Sequence, residues 1–282
     1  MNYYAITLII AICLLSPGCS RSPDLYAQYQ LVPTVLHIEI ARQAIKNINI
    51  LLHAEGLPEY YLYDEEHNRE GIALLWVGDK TISQTVADMM FVPRGCQCVI
   101  VQPRVLYSWV ENYSTVGETN YADMDNLPHT LGYFLLHEYG HIHSGHPGRA
   151  ISTLGDNTNR DETESKRLEQ TADDFASNLV AKYQSKTGAF KTWMSAANIG
   201  LNISSLAFTL QGKRIIDNFG CSVLDAPCAF HDMGDTHYNL EYRILKAQCL
   251  ISGGEACGML SSYEQRRNSG GVFQKGALYR AE

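Results

Sequence analysis

The chain has 282 residues, 45% of them hydrophobic, enough to bury a core in one large domain or two small ones. Charged residues make up 18%, the formal net charge is -8, and there is no basic stripe. Nucleic-acid binding therefore has no electrostatic support, and the acidic balance says nothing about fold.

Ala5 to Leu15 is a short apolar run, followed by Ser16-Pro17-Gly18-Cys19. It is too short to span a bilayer comfortably, and its small-residue exit suits a secretory signal. The Gly18-Cys19 pair further suggests a bacterial lipoprotein site, with Cys19 as the lipid-bearing first residue. We expect residues 1–19 to be a signal peptide of lipoprotein type and residues 20–33 a tether. The mature protein is then exported, periplasmic and anchored to a membrane through a lipid on Cys19.

Thr34 to Ala54 carries apolar residues at Val35, Ile38, Ala41, Ile45, Ile48 and Leu52, the spacing of an amphipathic helix, ended by Gly56 and Pro58. Tyr60 to Tyr63 and Ile72 to Val77 read as strands, with Asn68 to Gly71 as the break between them. Thr81 to Met90 is ambiguous, with a short helix as one reading. Cys98 to Gln102 is a strand stopped by Pro103. Its segment Val99 to Val101 is the candidate edge for an extended substrate, with plain sheet core as the alternative. Asp123 to Pro128 reads as loop, and Thr130 to Ser144 as a long apolar helix. Asp161 to Gln184 is a second helix, with acidic residues in the first turn where the helix dipole favours them. Thr187 to about Leu206 and Asn239 to Leu250 read as two more. Strands come early and helices late, which predicts an α+β domain over 34–250 and an irregular tail over 251–282.

Setting aside Cys13 and Cys19, the cysteines are Cys96, Cys98, Cys221, Cys228, Cys249 and Cys257. Their pairing is open from sequence. Cys96 and Cys98 are too close for an easy mutual bridge, and on a strand both thiols would share one face. Bridges among the other four would hold the tail to the body. No CxxC pair occurs, which argues against a structural zinc knuckle.

The strongest pattern is His137-Glu138-Tyr139-Gly140-His141. Two histidines four apart on a helix project to one face, so both imidazoles can serve one metal ion. Glu138 lies beside them, placed to take a proton from water at the metal. Catalytic zinc takes three protein ligands and keeps one open position. Glu169-Gln170-Thr171-Ala172-Asp173 on the second helix offers the third. Glu169 shares a stripe with Ala172, Ala176 and Leu179, and Ala172 is small enough for close helix approach. Asp173 can then accept the ring N–H of a ligand histidine. Glu162, Glu164 or Asp174 could serve as the third ligand instead. His146 is a candidate brace for the helix end or for the ligand set, and His143 is expected to be exposed.

These residues resemble the gluzincin metallopeptidases, most closely the family of the heat-shock membrane protease HtpX and the CAAX prenyl endopeptidases. His137 to His141 followed by His146 is similar to that family's HExxH segment, and Glu169 to Asp173 to its ExxAD segment. Thr236-His237 followed by Arg243-Ile244 is similar to its late THP segment, with Tyr238 where the family has proline. The resemblance covers roughly residues 95 to 250. It implies a zincin-like metallopeptidase domain in which a small mixed sheet supports an HExxH helix packed against a second ligand-bearing helix. It implies one zinc ion on His137, His141 and Glu169, with Asp173 in support and a protein or peptide as substrate. His237 and Arg243 are implied near the metal. His237 is the first choice for a donor to the oxyanion of the tetrahedral intermediate, with a satisfied loop histidine as its alternative, and Arg243 the second, unless Arg243 only pairs with Asp173 or another acid. The function expected is an endopeptidase acting on envelope or exported proteins, with Glu138 as general base. The rival readings are a zinc-binding chaperone or assembly factor without peptidase activity, and a structural envelope lipoprotein.

Overall fold

The computed structural model describes residues 24–65, 69–78, 90–104, 107, 127–149, 161–184 and 237–269. Among them, Tyr60–Leu62 (β1), Ile72–Trp76 (β2), Met90–Phe91 (β3) and Cys98–Val101 (β4) form a small mixed sheet in the order β1-β2-β4-β3. β1 and β4 each run parallel to β2, and β3 runs antiparallel to β4. The runs Ile-Ala-Leu-Leu-Trp and Cys-Val-Ile-Val are apolar throughout and buried throughout. Such runs suit strands covered on both faces, because successive side chains point to opposite sides. β4 is an interior strand, so of the two readings of Val99 to Val101 the edge is corrected and the sheet core holds. Its backbone is engaged by β2 on one side and β3 on the other, so an added strand meets β3 first. At the opposite edge, the Asn49 side chain donates to the Tyr60 carbonyl at 2.8 Å and accepts from its N–H at 2.8 Å, standing in for a neighbouring strand.

One face of the sheet, with Tyr60, Leu74, Trp76, Val99 and Val101, packs against helices. The other, with Tyr61, Leu75, Cys98 and Ile100, packs against Tyr26 and Leu31. Residues 24–33 are therefore a docked segment, and the tether expected over 20–33 is corrected for this part. The short helix Leu25–Tyr29 (α1) is capped by Asp24, and the Tyr26 hydroxyl donates to Asp64 Oδ2 at 2.6 Å. Burying two apolar side chains on the sheet outweighs the freedom a tether would keep.

Ile38–Ala54 (α2) begins four residues later than its periodicity suggests, because Pro33 bridges Val77 and the Thr34 N–H bonds the Trp76 carbonyl. Gly56, at φ 66°, ends it. Leu127–His143 (α3) begins earlier than expected and takes Pro128 in its first turn, where a missing N–H costs no helix bond. Glu162–Gln184 (α4) and Leu240–Ser252 (α5) match their readings closely, with Asp161 and Asn239 capping their first turns. The helix expected over 187–206, residues 81–89, Cys13, Cys19, Cys221 and Cys228 lie outside the described residues.

The irregular tail is corrected where it is described. α5 continues to Ser252, and Gly254–Ser269 is a further helix (α6). Gly253 and Gly254, at φ 64° and 51°, reverse the chain between them, a conformation that favours glycine. Buried Tyr263 and a disulfide between Cys249 and Cys257 join the two helices. A second disulfide pairs Cys96 with Cys98. The strand reading missed it because Cys96 sits in a turn: its N–H bonds the Pro93 carbonyl, Gly95 takes φ 73°, and the two Cα atoms come within 5.1 Å.

Among the described residues no helix is long and apolar enough to cross a membrane.

Candidate metal centre

α3 is apolar on almost every side, so it lies buried between α2 and α4. Its contact with α4 is set by two small residues. A Cβ built on Gly140 would sit 2.8 Å from the Ala172 Cα and 3.0 Å from the Ala172 carbonyl oxygen. Only glycine lets the helices come this close. Ala172 does what its size suggests in the sequence, and Gly140 is the partner that reasoning from Ala172 alone leaves out.

This closeness brings His137, His141 and Glu169 together. One nitrogen or oxygen from each lies within 4.8 Å of the other two. The two Nε2 atoms are 3.2 Å apart, and Glu169 Oε2 is 3.2 Å from that of His137 and 3.4 Å from that of His141. The other ring nitrogens are already engaged. His137 Nδ1 lies 2.8 Å from Asp173 Oδ1, and His141 Nδ1 lies 2.8 Å from His146 Nδ1. A ring that donates from Nδ1 presents a lone pair at Nε2. Two lone pairs and a carboxylate oxygen facing one point repel unless positive charge stands among them, as a proton on a ring or as a metal cation.

The electrostatics agree. Burial disfavours a charged His137, yet Asp173 and Glu169 outweigh it and push its pKa up to about 10. Burial also opposes an ionised Glu169, but His237, His137 and His141 hold its carboxyl well below the usual range. The site calls for positive charge beside Glu169, and two imidazoles with one carboxylate are a donor set that suits zinc. The residues present thus fit a divalent ion.

His146 is delivered by the helix end. Gly145, at φ 64°, reverses the chain, and the N–H groups of Gly145 and His146 bond the carbonyls of Ile142 and His141. This glycine cap satisfies the last turn and folds the His146 ring back onto His141. Burial, then the neighbouring His141, pushes the pKa of His146 down to about 4, so it stays neutral and can accept a hydrogen bond.

Arg243 reaches Asp173 from α5 with two donors, Nε to Oδ2 at 2.6 Å and Nη2 to Oδ1 at 2.9 Å. Burial works against an ionised Asp173, but Arg243 and His137 hold its carboxyl far below the ordinary value. The guanidinium thus stands behind Asp173, as a partner of that acid. One turn along α5, Lys246 donates to Asp174 at 3.0 Å, so two cations of one helix meet two adjacent acids of another. This pairing uses Asp174, and it lies away from the three-ligand cluster.

His237 stands on the other side of Glu169, its Nε2 2.9 Å from Oε2. Burial lowers its pKa. Tyr238 packs its ring edge-on to Tyr242 at 5.4 Å and lies under Lys166 and Arg267. Glu138 follows His137 on α3, and burial raises its carboxyl. A raised carboxylate is the better proton acceptor. Glu162 and Glu164, in the first turn of α4, pair with Lys166 and Arg167, and the cluster that could hold an ion contains Glu169 instead. The exposed His143 ring packs near Phe175 at 5.1 Å.

Two residues of this interface escape reasoning from metal motifs. Tyr133, four before His137, and Ser177, four after Asp173, meet at 2.7 Å between their oxygens in the buried interior. Their i±4 spacing from the His137–Asp173 pair is the signal that could have found them.

The family model described as Peptidase U49 matches residues 113–212. That span holds α3 and α4, with all three candidate ligands and Glu138, and leaves out His237 and Arg243. No curated protein and no solved structure matches the chain. Over the segment that carries its candidate metal centre, the protein is similar to a peptidase family, and that likeness supports proteolytic function.

Proposed function

We propose that this protein is a zinc-dependent endopeptidase of the gluzincin kind, akin to the HtpX and CAAX prenyl endopeptidase family. The observation that carries the reading is the approach of His137, His141 and Glu169 donor atoms to within 4.8 Å of one another, with Glu138 adjacent on α3. A divalent ion held there supplies Lewis-acid polarisation of a carbonyl and acidifies water. Glu138 takes the proton as water attacks the scissile peptide carbonyl, then passes it to the leaving amine. His237, beside Glu169, donates to the oxygen that gains negative charge. Asp173, held by Arg243, orients His137, and His146 orients His141. An extended substrate adds beside β3, one of the two outer strands of the described sheet. The same proposal holds that the chain is exported, anchored through a lipid on Cys19, and acts on envelope or exported proteins.

The test is a Glu138→Gln variant assayed beside the wild type on unfolded protein substrates. Zinc should stay bound while turnover falls about 10²–10⁴-fold, the usual weight of a general base. Turnover unchanged with zinc retained would sink the peptidase mechanism and favour a zinc-binding chaperone. A mature N-terminus without a lipid mass on Cys19 would remove the anchor alone.

A further inference from the structure

The contact between α3 and α4 is a ladder. Tyr133 meets Ser177, His137 meets Asp173 at 2.8 Å, and His141 meets Glu169 at 3.4 Å. Each rung is four residues along α3 and four back along α4, so the helices run antiparallel. The lower two rungs hold the candidate metal site. Between them the helices touch through Gly140 and Ala172, which have no side chain long enough to key one helix against the other. Such a contact sets distance well and axial register poorly. A shift of one residue moves a helical side chain by about 1.5 Å, enough to spoil a ligand set.

The third rung supplies what the small residues do not. Tyr133 is 4% exposed and Ser177 0%, and their oxygens are 2.7 Å apart. Sliding either helix leaves two buried hydroxyls without this partner, at a cost of about 1–3 kcal/mol each. A single buried polar pair is known to fix helix register at some expense in stability. We infer that Tyr133 and Ser177 are positioning residues for the metal centre, setting the register at which Glu169 meets His137 and His141. This inference rests on the metal reading above.

The experiment measures zinc affinity of the full chain by competition with a chromophoric chelator, alongside the visible spectrum of the cobalt-substituted protein. Tyr133→Phe and Ser177→Ala should each weaken zinc by about 3–10-fold, below the roughly 10–100-fold typical of a direct hydrogen-bond partner of a ligand. Both should also shift the cobalt bands. The double variant Tyr133→Phe/Ser177→Ala leaves no unsatisfied hydroxyl, so its Tm should recover towards the wild type while zinc affinity stays low. Leu179→Ala, a core truncation on the same helix at a position that is not itself a rung, should lower Tm and leave zinc affinity unchanged. The inference is overturned if either single variant binds zinc as the wild type does, if affinity recovers with Tm in the double variant, or if Leu179→Ala weakens zinc equally. A wild type that binds no zinc overturns the inference together with the metal reading; a wild type that binds zinc only as tightly as its variants overturns the inference alone.

Discussion

The sheet and the α3/α4 pair are both buried, yet they are built from opposite materials. β2 and β4 contain no charged residue, and their side chains join the apolar clusters on the two faces. The helix interface encloses His137, Asp173, Glu169 and Arg243 within a few ångströms. Buried charge is costly unless each group finds a partner, and here each one does. The sheet contributes stability through apolar burial, which continues onto the apolar faces of α3 and α4. Positioning is the business of the helices, where apolar burial is given up for pairs of fixed geometry. A mutation in the sheet should therefore register in unfolding alone, and a mutation of a polar pair between the helices in metal affinity as well.

Trp76→Ala is the strongest way to break that contrast. Trp76 is fully buried in β2 and donates its ring N–H to the Leu36 carbonyl at 2.7 Å. Its truncation should cost about 3–5 kcal/mol in denaturant unfolding and leave the zinc affinity of the folded fraction unchanged. Next comes Asp173→Asn. The neutral amide keeps the shape but loses the charge that holds His137 and Arg243, so chelator competition should read zinc binding weakened by about 10–100-fold. Gly140→Ala sharpens the contrast further, because it adds one methyl where the helices already touch. It should destabilise by about 1–3 kcal/mol and weaken zinc as well.

Much of this site is legible in the chain because its rules are local. His137 and His141 share a face through helical spacing alone, and Glu169 joins them through the stripe it makes with Ala172 and Ala176. The strands are legible as apolar runs for the same reason. What the sequence hides is decided at long range. β4 lies inside the sheet because β3, which precedes it in the chain, pairs on its outer side, and no local pattern fixes that order. Residues 24–33 look like a linker because the stretch is too short to show a clear period, and only the sheet's second face gives Tyr26 and Leu31 a place to go. α6 hides behind Gly254 and Gly258, which blur its helical period, and Cys96 meets Cys98 through a turn that Gly95 makes possible. Arg243 has two readings in sequence, and its position behind Asp173 follows from how α5 packs on α4.

The most direct measurement is metal content and X-ray absorption on purified protein, wild type beside Glu169→Ala. The account predicts about one zinc per wild-type chain, with a shell of two imidazole nitrogens and a carboxylate oxygen at roughly 2.0–2.2 Å, and its loss in the variant. Wild-type protein that takes up no zinc under metal-replete conditions, or zinc held unchanged after Glu169→Ala, would contradict it.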